Sequence, residues 1–124
     1  MGINSTEVSY GFAQMGSVFN NTVSAITPPT GKVFVAITFL TDTTLNTTNG
    51  LVADNDSGNG LEYVGTGTAA HNATVDSEPA DGTSGGGGKA VVTATVFPKG
   101  VTIYGRWTKV TTVTSGQYIA YIGD

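Results

Sequence analysis

The sequence predicts a single small all-β domain, an antiparallel β-sandwich or barrel-like fold with an extended N-terminal arm. Three observations predict it. Apolar residues recur with period two, and no segment shows a helical stripe. Thr, Ser, Asn and Gly take the place of charge, which makes up 11% of the chain against about 25% in an average domain. Thr favours strands, whereas Gly, Asn and Ser favour turns. Proline- and glycine-containing turn signals recur at short intervals. A chain of 124 residues suits one domain. Its five Phe, five Tyr and one Trp give a core something to pack.

Residues 1–16 mix Gly, Ser, Asn and Tyr and read as the arm, with a short strand at 8–12. An arm this polar is expected to be ordered by a neighbour. The β domain is then 17–124. Residues 18–26 form a first strand, stopped by Thr27-Pro28-Pro29-Thr30-Gly31 because proline has no amide hydrogen to give to a ladder. Residues 32–40 carry the strongest strand pattern. Val33, Val35, Ile37 and Phe39 fall on one face, and Phe34, Ala36, Thr38 and Leu40 on the other. A strand apolar on both faces is expected at the centre of a sheet, covered on both sides.

Residues 41–50 are polar and read as a loop. Short strands are expected at 51–53 and 61–65, around a turn at 54–60. Residues 66–89 read as a long flexible glycine-rich loop containing Pro79, Asp81-Gly82 and Gly85-Gly86-Gly87-Gly88. Consecutive glycines lose more conformational entropy on ordering than any other run. Residues 90–97 alternate valine with Thr or Ala, and Pro98-Lys99-Gly100 makes a tight turn. Residues 101–113 continue as strand, Thr114-Ser115-Gly116 turns again, and 118–122 is the last strand. The two turns predict an antiparallel meander.

Composition excludes several function classes. Net charge is −4, and Lys32, Lys89, Lys99, Arg106 and Lys109 form no basic run. That argues against nucleic acid, whose phosphates need clustered Lys and Arg, and against a charge-driven membrane surface. No stretch approaches the ~20 apolar residues of a transmembrane helix. The chain has no cysteine, so disulfides, zinc-thiolate and iron–sulfur sites are out. Residues 1–11 lack the basic and apolar runs of a signal peptide. Met1-Gly2-Ile3-Asn4-Ser5-Thr6 formally fits a myristoylation pattern but reads as ordinary polar arm. Asn-x-Ser/Thr sequons at Asn4, Asn20, Asn46, Asn55 and Asn72 are what abundant Asn and Thr give by chance.

Candidate sites are few. His71 is the sole histidine. A catalytic base needs an orienting partner and a nearby nucleophile. Asp76, Ser77 and Glu78 follow it, but on the same flexible loop, which preorganises nothing. No enzyme, no catalytic residue and no cofactor are expected. Asp54-Asn55-Asp56-Ser57-Gly58-Asn59-Gly60 resembles a fragment of a calcium loop. An EF-hand loop requires a bidentate Glu at position 12, where this chain has Gly65; a polar turn is the plainer assignment, and no metal is expected. Gly85 to Gly88 leads into a strand, so the helix N-terminus of a phosphate cradle is missing. Aromatic residues gather near the C-terminus. Val101, Ile103 and Trp107 share one face of their strand, which makes Trp107 a core residue; Tyr104 and Arg106 share the other. Tyr and Arg are enriched at interface hot spots, so Tyr104 and Arg106 are the candidate partner-binding residues.

The C-terminal residues also carry a resemblance. Phe97-Pro98-Lys99-Gly100-Val101-Thr102-Ile103-Tyr104-Gly105-Arg106-Trp107 and Ser115-Gly116-Gln117-Tyr118-Ile119-Ala120-Tyr121-Ile122-Gly123 resemble small virion proteins of tailed bacteriophages, marine ones in particular. Pro28-Pro29-Thr30-Gly31-Lys32-Val33, running into Ala36-Ile37-Thr38-Phe39-Leu40, is similar too. The likeness lies in strands and turns and brings no functional residues with it. It implies a β-rich structural protein of the particle: a capsid decoration or cement protein, assembled in the host cytoplasm, bound to the major capsid protein and homotrimeric. Two other classes stay open. In a tail-fibre or receptor-binding module, 66–89 would be the host-facing loop. In a carbohydrate-binding domain, Trp107 and the tyrosines would stack on sugar rings.

Overall fold

The structure is a computed structural model that describes residues 15–47, 49–54, 64–66, 91–114 and 116–124. Its elements are seven strands: β1 (Ser17–Asn20), β2 (Val33–Phe39), β3 (Thr43–Thr44), β4 (Leu51–Ala53), β5 (Val96–Phe97), β6 (Thr102–Val110) and β7 (Tyr118–Gly123). They make an antiparallel five-stranded sheet of order β1-β7-β2-β6-β4 and a two-stranded ladder of β3 with β5. The chain is all-β, as its composition predicts. The arm up to residue 14, its expected strand at 8–12 and nearly all of the 66–89 loop lie outside the described residues.

The doubly apolar strand β2 is the middle strand of the sheet. Its two faces are not those of strict alternation. A bulge between Phe34 and Ala36 interrupts both of its ladders, and one extra residue moves every later side chain to the opposite face. Phe34, Ile37 and Phe39 therefore share the core face, with Trp107 and Val110 of β6 and Tyr118, Ala120 and Ile122 of β7. Ala36 and Thr38 face the other way, opposite Tyr104 and Thr102 of β6 and Tyr121 and Ile119 of β7.

The core is closed by a second layer built from segments that read as loops. Residues 41–50 contain β3, which pairs with β5, and Leu45, which bridges Thr112 and is fully buried. Phe97 on β5 stacks on Phe39 with ring centroids 4.9 Å apart, and Tyr118 tilts against Phe39 at 6.4 Å. Below them Leu51 of β4 and Thr66 are sealed from solvent. The Thr66 hydroxyl accepts a 2.8 Å hydrogen bond from the Leu51 amide, and the Thr66 amide donates to the Leu51 carbonyl at 3.0 Å.

Three local expectations are corrected. The meander does not form, because β6 and β7 are not neighbours: β2 lies between them and pairs with both. Residues 111–117 instead run back past β3, with Val113 donating to the Thr44 carbonyl and Leu40 to the Gln117 carbonyl. The turn at Pro98-Lys99-Gly100 does form, with Gly100 at φ 88°, a left-handed value suited to glycine. It joins two different sheets and not the strands of a hairpin. The valine alternation at 90–97 yields only the two residues of β5. Thr95 closes a turn onto Val92, since β3 offers a ladder just two residues long. The strand expected at 18–26 ends at Asn20, whose side chain turns the chain. Ile26 rejoins the sheet by a bridge to Val110.

Candidate functional site

The core face of the five-stranded sheet is closed, so the surface left for function is its outer face. Residues directly opposite each other in an antiparallel pair point to one side. The ladders therefore set two rows across that face. One row is Phe19–Ile119–Thr38–Thr102, and the next is Ser17–Tyr121–Ala36–Tyr104. Neither row holds a charged side chain. A solvated sheet face is normally polar at such positions; this one carries two tyrosines, a phenylalanine and an isoleucine. Tyr104 is 69% exposed and Phe19 55%. Leu40 and Val101, where β2 leaves the sheet and β6 enters it, are exposed as well. Thr38 and Thr102 satisfy each other through a 2.8 Å hydroxyl–hydroxyl bond, which leaves a flat, uncharged centre.

Tyr104 and Arg106 do sit on the face opposite Trp107. They differ in what they can offer. Arg106 donates from Nε to Asp54 Oδ2 at 3.2 Å and from Nη1 to the Asp124 carbonyl oxygen, while the Asp54 amide donates to the Arg106 carbonyl at 2.9 Å. Lys32 pairs with the Asp124 carboxylate. Arg106 thus ties the end of β4 to the end of β7, and its charge is neutralised within the chain. The pair also bears on the calcium-like segment. The Asp54 carboxylate faces a guanidinium, which competes with any cation there; Asn55 to Gly60 lie outside the described residues.

Trp107 is fully buried, and its Nε1 donates to the Val64 carbonyl oxygen at 2.6 Å. Tyr118 is fully buried too. Neither ring can stack on a sugar, so among the described residues Tyr104 and Tyr121 remain of the aromatics proposed for that role; Tyr10 and Tyr63 lie outside them. The catalytic candidates His71, Asp76, Ser77 and Glu78 lie outside the described residues. Among the described residues no group of three or more His, Cys, Asp or Glu side chains is placed to hold a metal ion, and no helix is long and apolar enough to cross a membrane.

One polar network was not foreseen from the sequence. Asn20 is buried where β1 ends. Its Nδ2 donates to the Ser24 carbonyl at 3.1 Å and to Tyr118 Oη at 2.9 Å; its Oδ1 accepts from the Thr22 amide at 3.1 Å and hydroxyl at 3.0 Å. The Asn-x-Thr spacing that spells a sequon here spells an Asx turn, and the amide nitrogen is already committed. Burial pushes the Tyr118 phenol above its usual value, and the hydrogen bond from Asn20 works in the opposite direction.

The chain matches no protein-family model, and neither the curated proteins nor the solved structures contain a match to it.

Proposed function

We propose that this chain is a non-enzymatic structural protein of a phage particle, a capsid decoration or cement subunit that docks on the shell of the major capsid protein as a homotrimer. One observation carries the docking reading: Phe19 and Tyr104 stand largely exposed, in two rows without charged side chains, on the outer face of a sheet whose other face is sealed. Exposed aromatic residues on a rigid, flat element are the side chains from which interface anchors are made. Low charge in the rows suits the centre of an interface, where charged side chains are depleted. The sequence resemblance in strands β6 and β7 supplies the class of partner. Arg106 supports this face by fixing β4 to β7 and is not itself an anchor.

The direct test uses capsid shells prepared without this protein. Purified protein added to such shells is expected to co-sediment at a saturating, symmetry-related stoichiometry and to raise their resistance to heat. Light scattering on the free protein is expected to give three times the mass of one chain. Absence of shell binding, or binding to a glycan in place of the shell, would overturn the assignment.

A further inference from the structure

The two edges of the five-stranded sheet differ. At one edge β4 is covered: the Leu51 amide and carbonyl are taken up by the hydroxyl and amide of Thr66. At the other edge lies β1. In an antiparallel ladder the backbone groups of alternate residues turn toward the neighbouring strand, and those of the residues between turn away from it. The Ile122 amide donates to the Gly16 carbonyl at 2.9 Å, and the register pairs Val18 with Ala120 and Asn20 with Tyr118. Gly16, Val18 and Asn20 therefore bond to β7. The amide and carbonyl groups of Ser17 and Phe19 point outward from the edge, and among the described residues these groups have no hydrogen-bond partner.

Such an edge is a template for another strand, and proteins that stay apart blunt it with lysine, proline or a bulge. β1 has none of these. It reads Ser17-Val18-Phe19-Asn20 and pairs with β7 without a register shift. Ser17 and Phe19 are exposed on the outer face. Val18 packs half-buried on the core side.

We propose that β1 pairs with β1 of a second copy, antiparallel, about a two-fold axis that passes between the two Val18 residues and stands perpendicular to the sheet. Ser17 of each copy then faces Phe19 of the other, and their free groups satisfy one another through about four hydrogen bonds. A second copy fits this edge in size, because each Phe19 ring lies beside a serine. It fits in charge, because the chain carries a net −4 and this edge opposes no like charges. It fits in direction, because the axis keeps both outer faces on one side and joins them into one surface. That last point rests on the docking reading above; the free edge does not. A strand of four residues cannot by itself bury the ~1,200 Å² of a stable interface. The pairing therefore acts between copies already held close, and it is separate from the three-fold contact of a trimer.

The chain has no cysteine, so single thiols report the register. The two Val18 Cα atoms would stand about 4.5 Å apart, within the reach of a disulfide, which ends near about 7 Å. The two Ser17 Cα atoms, displaced by two residues along the strands, would stand about 8 Å apart. On oxidation, the full chain carrying Val18→Cys is expected to form a covalent dimer at least about tenfold faster than the Ser17→Cys chain at the same concentration, although Ser17 is the more exposed residue. A mixture of Ser17→Cys and Phe19→Cys chains is expected to give the mixed dimer ahead of either homodimer. Random collision favours the more exposed thiol, so Ser17→Cys linking as fast as Val18→Cys would overturn the proposal. Ser17→Pro removes an outward amide and spares the β7 ladder. Added to the Val18→Cys chain, it is expected to slow linking at least about tenfold, with Trp107 emission still that of a buried indole. A linking rate that Ser17→Pro leaves unchanged would equally overturn it.

Discussion

The two faces of the five-stranded sheet are both rich in apolar residues, and only one of them is a core. On the inner face Phe34, Ile37, Phe39, Trp107, Val110 and Tyr118 meet a second layer made from β3, β5 and the 111–117 crossover. Every large ring there is sealed, and the two polar ring atoms are satisfied, Trp107 by Val64 and Tyr118 by Asn20. On the outer face Phe19, Tyr104, Ile119 and Tyr121 have comparable bulk, but among the described residues no strand is layered over them. Hydrophobicity alone does not separate a core from a docking face. The separation comes from where the chain places its other segments, and the described ones, β3, β5 and the residues around Leu45 and Thr112, lie on the inner side.

That contrast can be broken or sharpened by substitution. Trp107→Ala is expected to destabilise the fold by about 3–5 kcal/mol, the cost of emptying a large buried ring site. Tyr104→Ala, one turn of the pleat away on the same strand, is expected to stay within about 0.5 kcal/mol of the parent. Equal losses in urea unfolding would erase the distinction between the faces. Gly105 probes the inner side from another direction. A Cβ at this position would lie 2.6 Å from the Trp107 ring, and a rigid indole with no room to move makes overpacking costly, so Gly105→Ala is expected to lose about 1–3 kcal/mol. Thr66→Val keeps the shape but removes the acceptor for the buried Leu51 amide. A loss in the same range of about 1–3 kcal/mol is expected; a neutral result would mean that the second layer is wetter than its burial implies.

Tyr118→Phe is the mildest of the inner-face substitutions. It deletes one buried hydrogen bond, worth about 1 kcal/mol, and it changes the alkaline limb of stability. The folded phenol lies above its ordinary value of 10.0 because it is buried. The folded state therefore holds that proton more tightly than the unfolded chain does. The resulting stabilisation is complete below pH 10 and is lost as pH rises from there through the raised folded value. The gap in stability between parent and Tyr118→Phe should accordingly narrow above pH 10. A gap that stays constant to the highest accessible pH would contradict the burial of this ring.

Much of this could be read from the residues, wherever the signal was local. The central position of β2 follows from its apolar character on both sides. The opposition of Trp107 to Tyr104 and Arg106 follows from simple alternation along β6. What escaped were relations that depend on distant partners. The bulge at residues 34–36 leaves no mark in the sequence, so the faces of β2 were assigned one residue out of step. The meander was inferred from two turns, but a turn states only that the chain reverses and not which strand it reverses beside; β2 inserts between β6 and β7 because it is the most apolar strand available. Thr43 and Thr44 look like loop until Phe97 and Val96 pair with them, 54 and 52 positions on. In the candidate site, Tyr104 was visible as an exposed aromatic. Phe19 was not singled out, because its outward direction depends on the pairing with Ile119. The commitment of Arg106 to Asp54 depends on a contact across 52 residues.

The central claim is that the outer face binds a partner through Phe19 and Tyr104 while the inner face holds the fold. Its most direct test is a shell-binding titration with the double variant Phe19→Asp/Tyr104→Asp, run beside a thermal melt of the same sample. Truncating or charging interface anchors typically costs 2 kcal/mol or more of binding, and roughly 1.4 kcal/mol is tenfold in affinity. The variant is expected to bind capsid shells at least about tenfold more weakly and to melt with the parent. Unchanged occupancy, or a loss of binding that merely follows a loss of fold, would contradict the account.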